Sequence, residues 1–161
     1  MNIVEYESKY DEQIKDLLVE LQEYLVKIDD WNTQVIKEHY REESFKIDMR
    51  KVMEQEGKIY LAVQDDKVIG LVMGCVDIKD EIDKISNDCV KTGSVIELIT
   101  SEQYRESGIG RALLNKIESY FSSIGCRRIN IEVFGPNKSA YKFYSNNGYT
   151  DRDIIVSKRL D

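Results

Sequence analysis

The sequence predicts an α+β fold, layered like an α/β sandwich, with a mixed central sheet flanked by helices. Three observations predict it. Two helical stretches stand near the start, a pair of β-rich runs follows, and helices then alternate with single strands to the end. At 161 residues the chain is long enough for one domain with a sizeable core. No repeat, linker or low-complexity tract divides it.

Residues 2–7 alternate Ile3 and Glu5 as a short strand. Over 11–28, Ile14, Leu17, Leu18, Leu21, Leu25 and Ile28 recur at helical spacing and form one apolar stripe. A second helical stretch, over about 33–55, carries Val35, Phe45, Ile47, Met49, Val52 and Met53 in poorer phase, and Gly57 is its stop. Residues 58–64 and 67–76 flank Asp65-Asp66 as a hairpin. Residues 77–93 are polar and mixed in charge, which predicts an extended loop with one helical turn. A strand over 95–100 leads to a helix over 109–124 that buries Leu113, Leu114, Ile117, Phe121 and Ile124, with Gly125 at its C′ position. A strand over 128–134 comes next, then a helix from Pro136 to about Asn147, ended by Gly148. Residues 154–160 are expected to close the sheet as a last strand.

Hydrophobic content of 42% and charged content of 33% suit a soluble globular domain. No apolar run is long enough for a bilayer, and no basic start leads into an apolar block. A cytoplasmic protein without membrane contact is therefore expected. Cys75, Cys89 and Cys126 are odd in number and lack a C-x-x-C spacing, so reduced thiols are expected. His39 is the single histidine and nothing near it completes a ligand set, so no metal is expected. Residues 1–57 hold 15 acidic and 8 basic side chains, while the remainder holds 15 of each. That acidic third argues against nucleic-acid binding and is compatible with a cationic partner. The alternative is an acidic surface that keeps the protein soluble.

Residues 95–115 carry the chemistry. They read as a strand, a turn with Arg105-x-x-Gly108-x-Gly110, and an amphipathic helix. Glycines at this spacing let successive N–H groups point into one concavity. The helix that starts there adds its unpaired first-turn donors and the positive end of its dipole. A pyrophosphate-bearing ligand is expected at residues 105–110.

Downstream come Ile131-Glu132-Val133, then Asn137, Ala140, Phe143-Tyr144 and Gly148-Tyr149. With the glycine turn, this order resembles the GNAT superfamily of acyl-CoA-dependent N-acetyltransferases. There Q/R-x-x-G-x-G/A is the CoA motif, and N-x-x-A-x-x-x-Y-x-x-x-G-F/Y follows one strand later. The resemblance is motif-specific over about 95–149.

The resemblance implies the GNAT-type acyl-CoA N-acyltransferase fold over 1–161, acetyl-CoA as cosubstrate, and direct attack by an amine in a ternary complex. It implies that the amides from Glu106 to Gly110 cradle the CoA pyrophosphate, with Arg105 ordering the loop or meeting a phosphate. The backbone of Glu97-Leu98-Ile99 would pair with pantetheine, and an N–H near Leu98 or Ile99 would face the thioester oxygen. The implied cofactor-binding set is Leu98, Ile99, Thr100, Arg105, Glu106, Ser107, Gly108, Ile109, Gly110, Arg111, Asn137 and Tyr144. Tyr144 matches the family's general acid, and Glu132 matches a general base of ribosomal-protein N-terminal acetyltransferases. Glu97 is the rival base. Glu106 departs from the commonest motif, because an acid inside the loop opposes phosphate charge.

Rival readings are a dinucleotide unit and a P-loop. The first lacks its third glycine, where Leu113 stands, and the second lacks G-K-[ST]. A non-catalytic acyl-CoA sensor of the same fold remains the alternative. The acceptor is a small-molecule amine or a protein amino group. Trp31, Tyr24 and Tyr40, among Asp29, Asp30, Glu38, Glu42 and Glu43, offer an aromatic and acidic cleft for a polyamine, an aminoglycoside or a protein amino terminus. The competing reading is a helix pair with a solvated acidic face. A homodimer is expected at the family level.

Overall fold

A computed structural model describes residues 1–86 and 90–160, so Cys89 lies outside the described residues. Five strands form one sheet: β1 (Asn2–Glu5), β2 (Lys58–Gln64), β3 (Lys67–Val76), β4 (Thr92–Thr100) and β5 (Arg128–Ile131). Their spatial order is their chain order. Pairing is antiparallel through β4, and β5 lies parallel to β4. The helices are α1 (Asp11–Ile28), α2 (Tyr40–Glu54), α3 (Glu81–Ser86), α4 (Ile109–Ser123) and α5 (Lys138–Asn146). The expected mixed sheet flanked by helices is present.

Strand alternation divides the core into two layers. Ile59, Leu61, Leu71, Met73 and Ile99 face α1 and α2, where Ile14, Leu17, Leu18, Phe45 and Val52 meet them. Tyr60, Ala62, Ile69, Val72 and Val95 face α4, against Leu113, Leu114, Ile117 and Phe121. With both faces covered, the two central strands read as nearly continuous apolar runs. Asp65 (φ 49°) and Asp66 (φ 59°) make the tight turn between them, as the hairpin reading required.

Two glycines under α4 answer to space rather than to backbone freedom. A Cβ on Gly74 would lie 2.7 Å from Phe121 Cζ, and one on Gly93 would lie 2.6 Å from Phe121 Cγ. The phenyl ring therefore rests on bare backbone of β3 and β4. Gly93→Ala is expected to destabilise the fold by about 1–3 kcal/mol through overpacking. Urea unfolding followed by circular dichroism checks this; an unchanged midpoint would show that the ring gives way freely.

The structure corrects several sequence boundaries. The second helix begins at Tyr40, not near 33. Asp29 holds residues 31–34 in a loop by accepting from the amides of Trp31, Thr33 and Gln34 and from the Thr33 hydroxyl. β4 begins at Thr92, three residues early, because the parallel β5 pairs with it there. β5 ends at Ile131 rather than 134, and α5 begins at Lys138 rather than Pro136.

The last expected strand is absent. Residues 150–160 form no strand, and Ile154, Ile155 and Val156 are 75–88% exposed. β propensity reflects fit on a pleated, half-buried surface, and this segment has none. Asp151 accepts from the Tyr141 hydroxyl at 3.1 Å, and the Arg159 guanidinium lies 5.4 Å from the centre of the Trp31 ring, donating to the Trp31 carbonyl. These contacts carry the tail away from the free edge of β5. A groove of about 440 Å3, lined by Arg128, Ile129 and Asn130, is left along that edge. It is remote from the glycine turn.

Candidate active site

β4 is built with one residue too many. The β3–β4 register shifts between Met73 and Gly74, so that Gly74 pairs with Val95 and Met73 with Glu97. Ile96 is the extra residue of a β-bulge, a device that re-aims the side chains beside it. Glu97 consequently shares a face with its partner Met73, toward α1 and α2.

The bulge coincides with a fork. Pairing between β4 and β5 ends at Val95 opposite Ile131, so among the described residues no strand neighbours 96–100 on that side. Ser101 N–H donates to the Ile69 carbonyl at 3.0 Å, which fixes the phase of the antiparallel ladder. Glu97 and Ile99 then bond to β3, while the backbone groups of Leu98 and Thr100 point into the fork. Of the two amides the sequence left open, Leu98 is the one aimed there. The Arg105 Nε closes part of the edge by donating to the Thr100 carbonyl at 3.4 Å.

The glycine turn follows directly. Gly108 is the N-cap of α4 at φ 84°, and Glu106 also lies at positive φ, 61°. A Cβ on Gly108 would meet nothing within 4 Å, so glycine is needed there for its φ alone. At Gly110 a Cβ would make ordinary contact with Thr100 Oγ1 at 3.5 Å, which explains why such motifs admit alanine at that place. Among the described residues, the amides of Glu106, Ser107, Gly108, Ile109, Gly110 and Arg111 have no hydrogen-bond partner. That run of free donors at a helix N-terminus is an anion cradle. The side chains of Glu106 and Arg111 are exposed, while Ile109 is buried in the core. Glu106 thus sends its carboxylate to solvent.

α1 braces this turn. The Arg105 guanidinium stacks over Tyr24 at 5.0 Å. Glu20 accepts from the Ser101 hydroxyl and from the Glu102 amide at 2.6 Å. Arg105 therefore orders the loop, and Tyr24 serves that brace.

α5 carries the second motif. Asn137 caps it, its Oδ1 accepting from the Ala140 amide at 3.2 Å and the Ser139 hydroxyl at 3.1 Å. The helix ends in a Schellman closure at Gly148 (φ 89°): Tyr149 N–H donates to the Tyr144 carbonyl and Gly148 N–H to that of Ser145. The Tyr144 and Tyr149 rings meet edge-on at 5.7 Å, and the Tyr149 hydroxyl donates to Glu118 at 2.8 Å. The Y-x-x-x-G-Y spacing is thus a clamp that fixes Tyr144.

Charge gathers at the fork. Burial, and secondarily the charge of Asp48, pushes the Glu97 carboxyl up to about 8. Burial and the Glu97 charge raise the Tyr144 phenol well above its usual range, which keeps it protonated. The same causes push Tyr40 up to about 12, with Asp48 adding to them. The charge of Glu97 is thus felt at Tyr144 and Tyr40, and that of Asp48 at Glu97 and Tyr40. Glu132 stands apart, exposed, one residue past β5.

The acids of α1 and α2 form largely a solvated face, which is the reading preferred for most of them over an acceptor cleft. Glu42 pairs with Lys15 and Arg41, Glu43 pairs with Lys46, and Asp29 is used within its loop. Sequence reasoning missed Asp48. The available signal was an acid standing between Phe45 and Val52, on the stripe of α2 that packs on the sheet.

A mixed sheet forked after its fourth strand, with an amide cradle beside the fork, is the architecture of the acyl-CoA N-acyltransferase fold. The chain belongs to the acetyltransferase (GNAT) family, whose model matches residues 17–149. It is 33% identical over 97 residues to an uncharacterised N-acetyltransferase of Methanocaldococcus jannaschii. That match covers 60% of this chain and 54% of the relative, so it spans about half the relative's length. A protein assigned as an acetyl transferase from Pyrococcus furiosus shares the fold with a TM-score of 0.73 and 25% identity, over 99% of both chains. AAC(6')-Iy, in complex with a bisubstrate analogue of CoA and acetylneamine, superposes with a TM-score of 0.68. It is 13% identical over 99% of this chain and 97% of its own.

Proposed function

We propose that this protein is an acetyl-CoA-dependent N-acetyltransferase whose acceptor amine attacks the thioester directly. The observation that carries the reading is the junction of two features: the free edge at Leu98 and Thr100, and the unpaired amides of residues 106–111. One suits an extended, amide-bearing arm, and the other suits a pyrophosphate. A CoA-bearing analogue in AAC(6')-Iy supports the same choice of ligand.

The cosubstrate supplies an acetyl group activated as a thioester. Glu97 takes a proton from the acceptor's ammonium, and the freed nitrogen pair forms the new C–N bond. Leu98 N–H donates to the carbonyl oxygen as charge builds there. The Tyr144 hydroxyl gives its proton to the sulfur as the C–S bond breaks, and the phenolate takes up the second proton that the new amide nitrogen sheds. Asn137 Nδ2, left free while Oδ1 caps α5, faces the arm of the cosubstrate. Glu97 is preferred to Glu132 as base because its carboxyl is raised toward the working pH and lies beside Tyr144. That juxtaposition also favours an enzyme over a sensor.

Calorimetric titration with acetyl-CoA, with NAD as control, tests the reading together with Tyr144→Phe. Saturable binding of acetyl-CoA alone is expected. The variant is expected to keep that affinity while turnover falls about 10²-fold. Absence of binding ends the acetyltransferase reading, and unchanged turnover removes Tyr144 from the chemistry.

A further inference from the structure

α2 lays one stripe on the sheet, and an acid stands in the middle of it. Phe45, Asp48 and Val52 are its buried residues, with Asp48 only 8% exposed. Phe45 and Val52 belong to the core around Met73. An ionised carboxylate in such a stripe is costly unless a countercharge meets it.

No protein group meets it. Among the described residues, Asp48 has neither an ion pair nor a hydrogen bond, and the exposed Lys51 one turn on eases its charge without pairing. Glu97 stands on the face of β4 turned toward α1 and α2, where the charge of Asp48 adds to its upward shift, and it is likewise unpartnered. Neither carboxylate is sealed, since no unpaired side-chain oxygen or nitrogen among the described residues is fully buried. Two such carboxylates repel each other when both are ionised, and a cation between them lets both carry their charge. Tyr40 feels both charges, and its hydroxyl donates to Gln22 Oε1 at 3.4 Å. It also lines a cavity of about 480 Å3 with Val35, Lys37, His39 and Glu43 at the start of α2.

We propose that Asp48 and Glu97 form the acceptor subsite, which holds a cationic amine and refuses amines that carry an anionic group. The proposal rests on the acetyltransferase reading above and names its substrate class. Glu97 takes the proton from the attacking nitrogen, which leaves that nitrogen neutral. Asp48 then keeps a countercharge only if the acceptor carries a second ammonium. A diamine or polyamine satisfies both carboxylates throughout the reaction.

The test is calorimetry on protein saturated with CoA, using 1,5-diaminopentane as probe. The wild type is expected to bind it, and Asp48→Asn to bind it at least 10-fold more weakly with CoA affinity unchanged. Glu5→Gln, which alters an acid of β1 already paired with Lys58, is expected to bind as the wild type does. A second comparison needs no variant: 6-aminohexanoate, of similar length but bearing a carboxylate, is expected not to bind the wild type. Equal binding of the two probes, or undiminished binding by Asp48→Asn, overturns the subsite. Binding of CoA without the diamine overturns it too and leaves the acetyltransferase reading standing. Failure to bind CoA removes both.

Discussion

Replacing Gly108 with valine is expected to lower acetyl-CoA affinity at least 100-fold while the chain still folds. The reasoning separates two roles a glycine can have. Space is not the constraint, because a Cβ there would meet no atom within 4 Å. Conformation is: at φ 84° a β-branched residue is a genuine outlier. The variant's backbone must leave the left-handed region, and the amides of residues 106–111 lose their common direction. In the core under α4 only Ile109 adjoins the turn, while Leu113, Leu114, Ile117 and Phe121 begin a turn later and hold the fold. Calorimetry reads the affinity and thermal unfolding reads the fold. An affinity within threefold of wild type would show that the turn is structural.

Glu97→Gln is expected to lower kcat by about 10²–10⁴-fold, the range for removing a general base. It should also remove a pH dependence whose sign follows from the raised carboxyl. The carboxylate form accumulates as pH rises through about 8, so wild-type turnover climbs toward that pH and the variant's does not. Stability moves the other way. Between about 4.5 and 8 the folded state retains a proton that the unfolded chain has lost. The contribution of Glu97 to stability is therefore full below about 4.5 and is lost as pH rises through about 8. Glutamine flattens that slope, which denaturant titrations at pH 5 and pH 9 detect. A Glu132→Gln variant with the larger loss of turnover would reassign the base.

The legible parts of the sequence are those where one physical cause dominates. α1 runs from Asp11 to Ile28 as the apolar stripe demanded, and the hairpin at Asp65-Asp66 needed only local turn chemistry. The glycine turn was legible because only glycine is at ease at the φ of residue 108. Long-range causes were not legible. Glu97 and Glu132 each sit within an apolar triplet, and what parts them is a bulge at Ile96 that exists only in register with β3. Residues 154–160 have the composition of a strand, yet a strand is a relation between two segments, and the tail's contacts with α5 and Trp31 lead it elsewhere. Asp48 reads as one more surface acid until α2 is rotated onto the sheet.

The fork after Val95 means that this sheet is unfinished as a polypeptide. Residues 96–100 present their backbone to a gap that no strand among the described residues fills. A ligand lying there is in effect a sixth strand made of another material, and part of the sheet's cohesion becomes a function of its concentration. At a hundred times the dissociation constant, that linkage amounts to about 2.7 kcal/mol in favour of the folded state. Under the proposed function, the protein's resilience would follow the supply of its ligand, and a cell short of it would hold a softer protein.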